Sequence, residues 1–198
     1  MTKIADAIVS IAWIAIILYW MVSAFGAKKN MARSDSWKRW FLIRTLFLIA
    51  IIWGFQMTGL WASIRSKGIY PGGAALIPGM QWLVALGVVL TLAGIMFAIW
   101  ARVHLGRNWS GTPSIKEGHE LVTSGPYRFV RHPIYTGVIT ALLGTAFVDG
   151  LFWLVVFAAA AIVFAARIPV EERFMAQLFP DQYPEYKKHT KALVPFIC

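Results

Sequence analysis

The sequence predicts an all-α, multi-pass membrane protein with about five transmembrane helices, the last two of them a tight helical hairpin. Three observations carry that expectation. Hydrophobic residues make up 59% of the 198-residue chain and charged residues only 14%, a balance outside the soluble globular range. Apolar runs of about 18 residues or more recur, long enough to cross a hydrocarbon core. The lysines and arginines fall between those runs rather than on one soluble face, so the net charge of +10 reads as loop asymmetry and not as a nucleic-acid footprint.

The elements follow in order. Residues 7–27 hold no charge, and as a helix they rise about 31 Å, enough for one span. Ala24-Phe25-Gly26 is similar to a signal-peptide cleavage site, but the apolar run is longer than a signal-peptide core, so a retained helix is expected. Residues 40–64 form a second span containing Arg44, which lies about 6 Å of helix from Trp40 and can snorkel to the interface. Residues 68–79, "GIYPGGAALIPG", are rich in helix breakers and read as an interfacial loop or re-entrant turn. A third span covers residues 79–104. Residues 133–148 and 151–166 are two further apolar segments joined only by Asp149-Gly150, whose turn chemistry allows a sharp reversal. Each arm is about 16 residues, or about 24 Å of helix, so snorkelling or local thinning is expected. Gly137, Ala141 and Gly144 on one arm and the alanines of residues 158–161 on the other are expected to let the two arms approach closely, although the alanine run fits helix-forming filler equally well.

Orientation comes from the basic residues. Over alternating sides of five spans, fifteen Lys and Arg fall on one side and only Lys3, Arg65 and Lys67 on the other, with Arg44 inside a span. The richer side is cytoplasmic, which places the N-terminus outside and the C-terminus inside. The one cysteine, Cys198, can form neither an intramolecular disulfide nor a cysteine zinc cluster.

The dense polarity lies in two pieces, the loop of residues 102–132 and the tail from Arg167 onward. The hairpin leaves from the end of the first and returns at the start of the second, so it forces both to one membrane surface. No G-x-G-x-x-G follows a strand, and neither a P-loop nor H-E-x-x-H occurs. His104, His119, His132 and His189 are scattered and form no recognised metal-binding motif, so no metal is expected. What remains is "IKEGHELVTSGPYRFVRHPIY" and "ARIPVEERF". Gly118 and Gly125 permit turns, while Pro126 and Pro133 stiffen the backbone around Tyr127 and His132. Tyr, Arg and His at this level also serve as interfacial anchors. A helix beginning at His132-Pro133-Ile134-Tyr135 leaves free N–H groups suited to an anionic or carbonyl ligand. Arg167 and Glu171 stand at i, i+4 with Pro169 between them, where a kink would turn a cation and a carboxylate inward. The same residues also fit a snorkelling arginine and a solvated acidic turn at a new helix start, with the dipole favouring Glu171 and Glu172.

"HELVTSGPYRFVRHPIY", a short hydrophobic hairpin, "RIPVEE", "FPDQYPEY" and a final "PFI" occur in that order. The series closely resembles the isoprenylcysteine carboxyl methyltransferase family and, more broadly, the membrane methyltransferases that include phospholipid N-methyltransferases. The resemblance covers residues 102–197, half the chain; the first two spans contribute nothing to it. The chain is expected to form one membrane domain, residues 1–198, in which residues 1–66 are the two N-terminal spans read from hydropathy. Residues 79–198 would then be a methyltransferase core of third span, cofactor loop, hairpin and tail.

The resemblance further implies methyl transfer from S-adenosyl-L-methionine to a lipophilic or lipidated substrate drawn from the membrane, in a pocket formed by the cytoplasmic loop and the C-terminal helix. By resemblance, His119, Glu120, Leu121 and Val122 line the cofactor with Tyr127 beside them. His132, Pro133, Ile134 and Tyr135 continue that wall, Glu171 binds the cofactor's polar end, and Arg167 meets the reacting carboxylate. A cationic sulfonium donor suits a glutamate and tyrosine faces. A carboxylate acceptor needs only desolvation and alignment, whereas an amine acceptor would need a Glu or Tyr to take its proton. Thr112 stands where eukaryotic members carry a cofactor-contacting glutamine, and Pro180 where the tail usually has glycine. Five spans against eight in eukaryotic members suggests a minimal version in a prokaryotic inner membrane, with an acceptor other than a prenylated protein. Alternatives are N-methylation of a phospholipid amine, S-methylation of a small thiol, an NADPH-dependent sterol-reductase-like enzyme using Arg128 and Arg131, and a non-enzymatic scaffold.

Overall fold

The computed structural model describes residues 2–24, 30–33, 79–106, 114–116 and 120–194. The expected second span, Arg44, most of the residue 68–79 loop, Thr112, His119 and the terminal "PFI" lie outside the described residues. Five α-helices are present among the described residues: α1 (Thr2–Ala24), α2 (Trp82–Leu105), α3 (Pro133–Asp149), α4 (Leu151–Leu178) and α5 (Gln182–His189). A 3-10 turn, Gly125–Arg128, precedes α3. α1, α2 and α4 are each long and apolar enough to cross a membrane, while α3 is a shorter apolar helix. One antiparallel ribbon, β1 (Asn30–Arg33) with β2 (Ser114–Lys116), is an addition that the all-α expectation did not contain. Strands this short carry no readable period-2 alternation, yet the ribbon joins two loops that the charge count assigns to the same side.

The hairpin forms where expected. Gly150 takes φ 92°, a value L side chains rarely adopt, and its N–H bonds to the Ala146 carbonyl at 2.9 Å. The second arm does not stop near residue 166, however. α4 runs 28 residues, through Pro169, to Leu178. Pro169 supplies no N–H to the Ala165 carbonyl, but both residues are exposed, so the freed carbonyl can be met from outside the protein and the helix continues.

The small residues also serve a different partner from the one expected. Gly137 and Gly144 face α2, not the alanine run of α4. A Cβ on Gly94 would stand 2.5 Å from the Gly137 carbonyl oxygen, and one on Gly144 would stand 2.5 Å from that of Gly87. The glycines are paired antiparallel, 87 with 144 and 94 with 137, seven residues apart on each helix. That heptad spacing places both glycines of each helix on the face that meets the other helix. Between the glycines, Thr91 Oγ1 donates to the Gly87 carbonyl at 2.9 Å and lies 3.4 Å from Thr145 Oγ1. Trp13 Nε1 of α1 donates to the same Thr145 hydroxyl at 3.0 Å. α3 is therefore the buried centre, and the outer faces of α1, α2 and α4 present exposed apolar residues such as Ile11, Met96 and Ile162.

At one end of this bundle Arg102 Nη2 donates to the Ser23 carbonyl at 2.7 Å and Nη1 to the Gly106 carbonyl at 2.8 Å. The C-terminal ends of α1 and α2 thus share a level, and α3 starts at that level.

Candidate active site

The residue 124–136 segment is built on two rigid points. Gly125 takes φ 59°, and a Cβ there would stand 2.7 Å from the His104 imidazole, so only glycine fits the turn. His104 Nε2 lies 2.9 Å from Ser124 Oγ, fixing the approach to it. Pro126 and Tyr127 are buried. The Tyr127 carbonyl accepts the Tyr186 hydroxyl of α5 at 2.5 Å. Burial pushes both phenols up, with the Glu171 carboxylate contributing at Tyr127, so Tyr186 keeps its proton to donate.

The tail crosses this segment. Val130 and Lys191 form a parallel bridge, Arg131 N–H donates to the Lys191 carbonyl at 2.8 Å, and His132 N–H to the Ala192 carbonyl at 3.0 Å. Thr136 Oγ1 donates to the Leu193 carbonyl at 2.7 Å. The amides of Arg131 and His132, just ahead of α3, are therefore taken by the chain itself, which corrects the expectation of free N–H groups at this helix entry for His132.

Arg167 and Glu171 do face inward. Glu171 Oε1 accepts Arg167 Nε at 2.6 Å and the Tyr135 hydroxyl at 2.7 Å. Glu171 Oε2 lies 3.6 Å from His132 Nδ1. The rings of His132, Tyr135 and Phe164 form a stack, with centroids 5.5 and 4.3 Å apart and planes within 5°. The Arg167 guanidinium carbon is 5.9 Å from the Tyr135 ring centre. One turn of α4 and the first turn of α3 thus place a cation, a carboxylate, a phenol and an imidazole side by side.

Adjacent Glu172 points to a second cluster. Its Oε1 accepts Arg131 Nε and Nη2, both at 2.7 Å, and its Oε2 accepts Lys187 Nζ at 2.6 Å. Arg131 Nη1 also donates to the Thr190 carbonyl. His132 Nε2 is 3.6 Å from Glu172 Oε1 and is buried with no hydrogen-bond partner.

Of the residues expected from the sequence, the structure brings together His132, Tyr135, Arg167 and Glu171, with Tyr127 within electrostatic reach. Pro133 is buried and Ile134 half-buried at the start of α3. Glu120 is exposed, Leu121 and Val122 are half-buried, and among the described residues no hydrogen bond or ion pair joins Glu120 to the cluster. Sequence reasoning gave Phe164 and Lys187 no place in the site, read Glu172 only as a solvated acidic residue at a helix start, and gave Arg131 no binding role beyond that of a 2′-phosphate ligand. A signal for Glu172 existed: Phe164, Ile168 and Glu172 recur every four residues along one helix face.

A family profile described as phospholipid methyltransferase matches residues 82–182, just over half of the chain. The chain belongs to that phospholipid methyltransferase family. Among curated proteins it is 36% identical over 131 residues to protein-S-isoprenylcysteine O-methyltransferase A of Arabidopsis thaliana, covering 62% of this chain and 66% of that one. It is 32% identical over 146 residues to the cobalt-zinc-cadmium resistance protein CzcN of Cupriavidus metallidurans, covering 73% of this chain and 62% of that one. The chain thus spans just under two thirds of the length of these relatives. Among solved structures, the eukaryotic intramembrane Ras methyltransferase ICMT (isoprenylcysteine carboxyl methyltransferase) matches with a TM-score of 0.55 at 22% identity, covering 83% of this chain and 55% of that one. That likeness establishes a shared fold. With three helices of spanning length, it makes this chain an integral membrane protein. α1 and the tail beyond residue 182 fall outside the family match, although both pack on it.

Proposed function

We propose that the protein transfers a methyl group from S-adenosylmethionine to a lipophilic carboxylate at the membrane, a reading supported by its similarity to a protein-S-isoprenylcysteine O-methyltransferase. The observation that carries the reading is the meeting of Glu171, Arg167, Tyr135 and His132, from two segments 32 residues apart or more, in one partly buried cluster. The residues fit the cofactor. Glu171 is a carboxylate beside the stacked rings of His132, Tyr135 and Phe164; a cationic ligand with a charged amino end suits it. When bound, S-adenosylmethionine supplies an electrophilic methyl group. Glu171 would hold its polar end, with residues 119–122, Tyr127 and residues 132–135 forming the wall.

Arg167 would orient the acceptor. Its Nε is held by Glu171 at 2.6 Å, an ion pair that fixes the direction of the guanidinium plane. A carboxylate is already ionised at neutral pH, so the chain needs no general base for it; alignment and exclusion of water supply the rate. The NADPH alternative loses support at Arg131, whose guanidinium is committed to Glu172 and the Thr190 carbonyl; of the two arginines considered for a 2′-phosphate, this leaves exposed Arg128. The proposed setting is a prokaryotic inner membrane with the cluster on the cytoplasmic side and the chain forming one membrane domain.

A labelled-methyl assay on prenylcysteine analogues, membrane lipid extract and small thiols tests the acceptor and separates O- from N- and S-methylation. Calorimetry with S-adenosylmethionine and NADPH tests the donor. Binding of NADPH with no response to S-adenosylmethionine overturns the methyltransferase reading.

A further inference from the structure

Glu172 is only 7% exposed, yet it has no place in the chemistry proposed above. Successive residues of a helix point about 100° apart, so Glu171 and Glu172 address different neighbours. Glu171 meets Tyr135 and Arg167, and Glu172 meets Arg131 and Lys187. His132 sits between them, with Nδ1 3.6 Å from one carboxylate and Nε2 3.6 Å from the other. The residues on the Glu172 side also carry the tail: Arg131 donates through its side chain to Thr190 and through its backbone to Lys191, and His132 donates to Ala192.

We infer that Glu172 is a positioning residue of the site, acting through Arg131 and His132 to hold the residue 132–135 wall and the tail in register with Glu171. The inference rests on the methyltransferase reading. A buried carboxylate with two cations contributes little net stability compared with apolar packing, but it is directional. Here the direction matters, because the backbone that Arg131 fixes is the backbone that aims His132 and starts α3. Loss of the Glu172 charge leaves Arg131 and Lys187 without their anion and His132 drawn to Glu171 alone. The wall then shifts although Glu171, Tyr135 and Arg167 are untouched.

The test is Glu172→Gln in the full chain, with two readouts. Hydrogen exchange at the Arg131 and His132 amides is measured without cofactor, and S-adenosylmethionine affinity is measured by calorimetry. Exchange is expected to rise and affinity to fall, each by about tenfold, as when the support of a binding group is removed. Glu185→Gln, at an exposed pair on α5, is expected to change neither. Faster exchange with unchanged affinity shows a purely structural role and overturns the inference. So does weaker affinity with unchanged exchange, which means direct contact with the cofactor, and so does no change in either. If Glu172→Gln does not fold, Arg131→Lys is read by the same two criteria, since it keeps the charge but loses the fork. Failure of the unmodified protein to bind S-adenosylmethionine removes the proposed function instead; the cofactor-free exchange then decides whether Glu172 fixes the tail.

Discussion

The α2–α3 seam and the Glu171–Glu172 cluster both dock on α3, but they do so by opposite means. In the seam the closest approaches are made by residues with no side chain at all, Gly87, Gly94, Gly137 and Gly144, and two threonines share hydroxyls across the gap. At the polar end, contact is made by the longest side chains in the set, Arg131, Arg167 and Lys187, on two carboxylates. In an apolar medium no hydrophobic force draws helices together, so close van der Waals contact and a few hydrogen bonds must do it. At the surface, directional ion pairs become useful because they fix orientation as well as proximity. The seam gives α3 its place, and the cluster gives its first turn a chemical role.

Breaking the seam should have the largest effect. Gly94→Ala puts a Cβ 2.5 Å from the Gly137 carbonyl and 2.6 Å from the Ala141 nitrogen. Both are backbone atoms that cannot step aside, so a loss of about 3 kcal/mol is expected in detergent unfolding. Next is Arg167→Ala, expected to lower turnover about a hundredfold with little change in cofactor affinity, the signature of an interaction made with the reacting acceptor. Glu171→Ala is expected to weaken S-adenosylmethionine binding about tenfold, read by calorimetry. Equal binding and turnover in these two variants would return Arg167 and Glu171 to a snorkelling pair. Smallest is Thr145→Val, which removes the bond from Trp13 and should cost about 1 kcal/mol in the same unfolding assay. Its catalytic constants should be unchanged, so it separates the seam from the site.

Much of the fold was legible because its signals are local. Length and apolarity mark α1, α2 and α4, and Asp149-Gly150 marks the reversal. The meeting of His132 and Tyr135 with Arg167 and Glu171 was legible too, since a hairpin must bring its two ends together. The end of α4 was not: Pro169 is a helix breaker by rule, and only its exposure in the folded chain makes the lost bond tolerable. Glu172 was hidden for a related reason, since tandem glutamates at a helix boundary look alike until the packing of α4 turns one toward Tyr135 and the other toward Arg131.

By itself, then, the sequence determined that the chain crosses a membrane, where the hairpin turns, and which two polar segments share a surface. Hydropathy and chain connectivity suffice for these, because each depends on residues near one another in sequence or on the reach of a known turn. The tertiary structure alone decided that the glycine stripe of α3 seats α2 instead of α4, that the tail takes the amides before α3, and that neighbouring glutamates divide their partners. Small residues permit close approach to any helix, and a carboxylate attracts any cation. Which neighbour is met depends on how the helices are rotated and stacked, and those angles are set by the packing of the whole bundle.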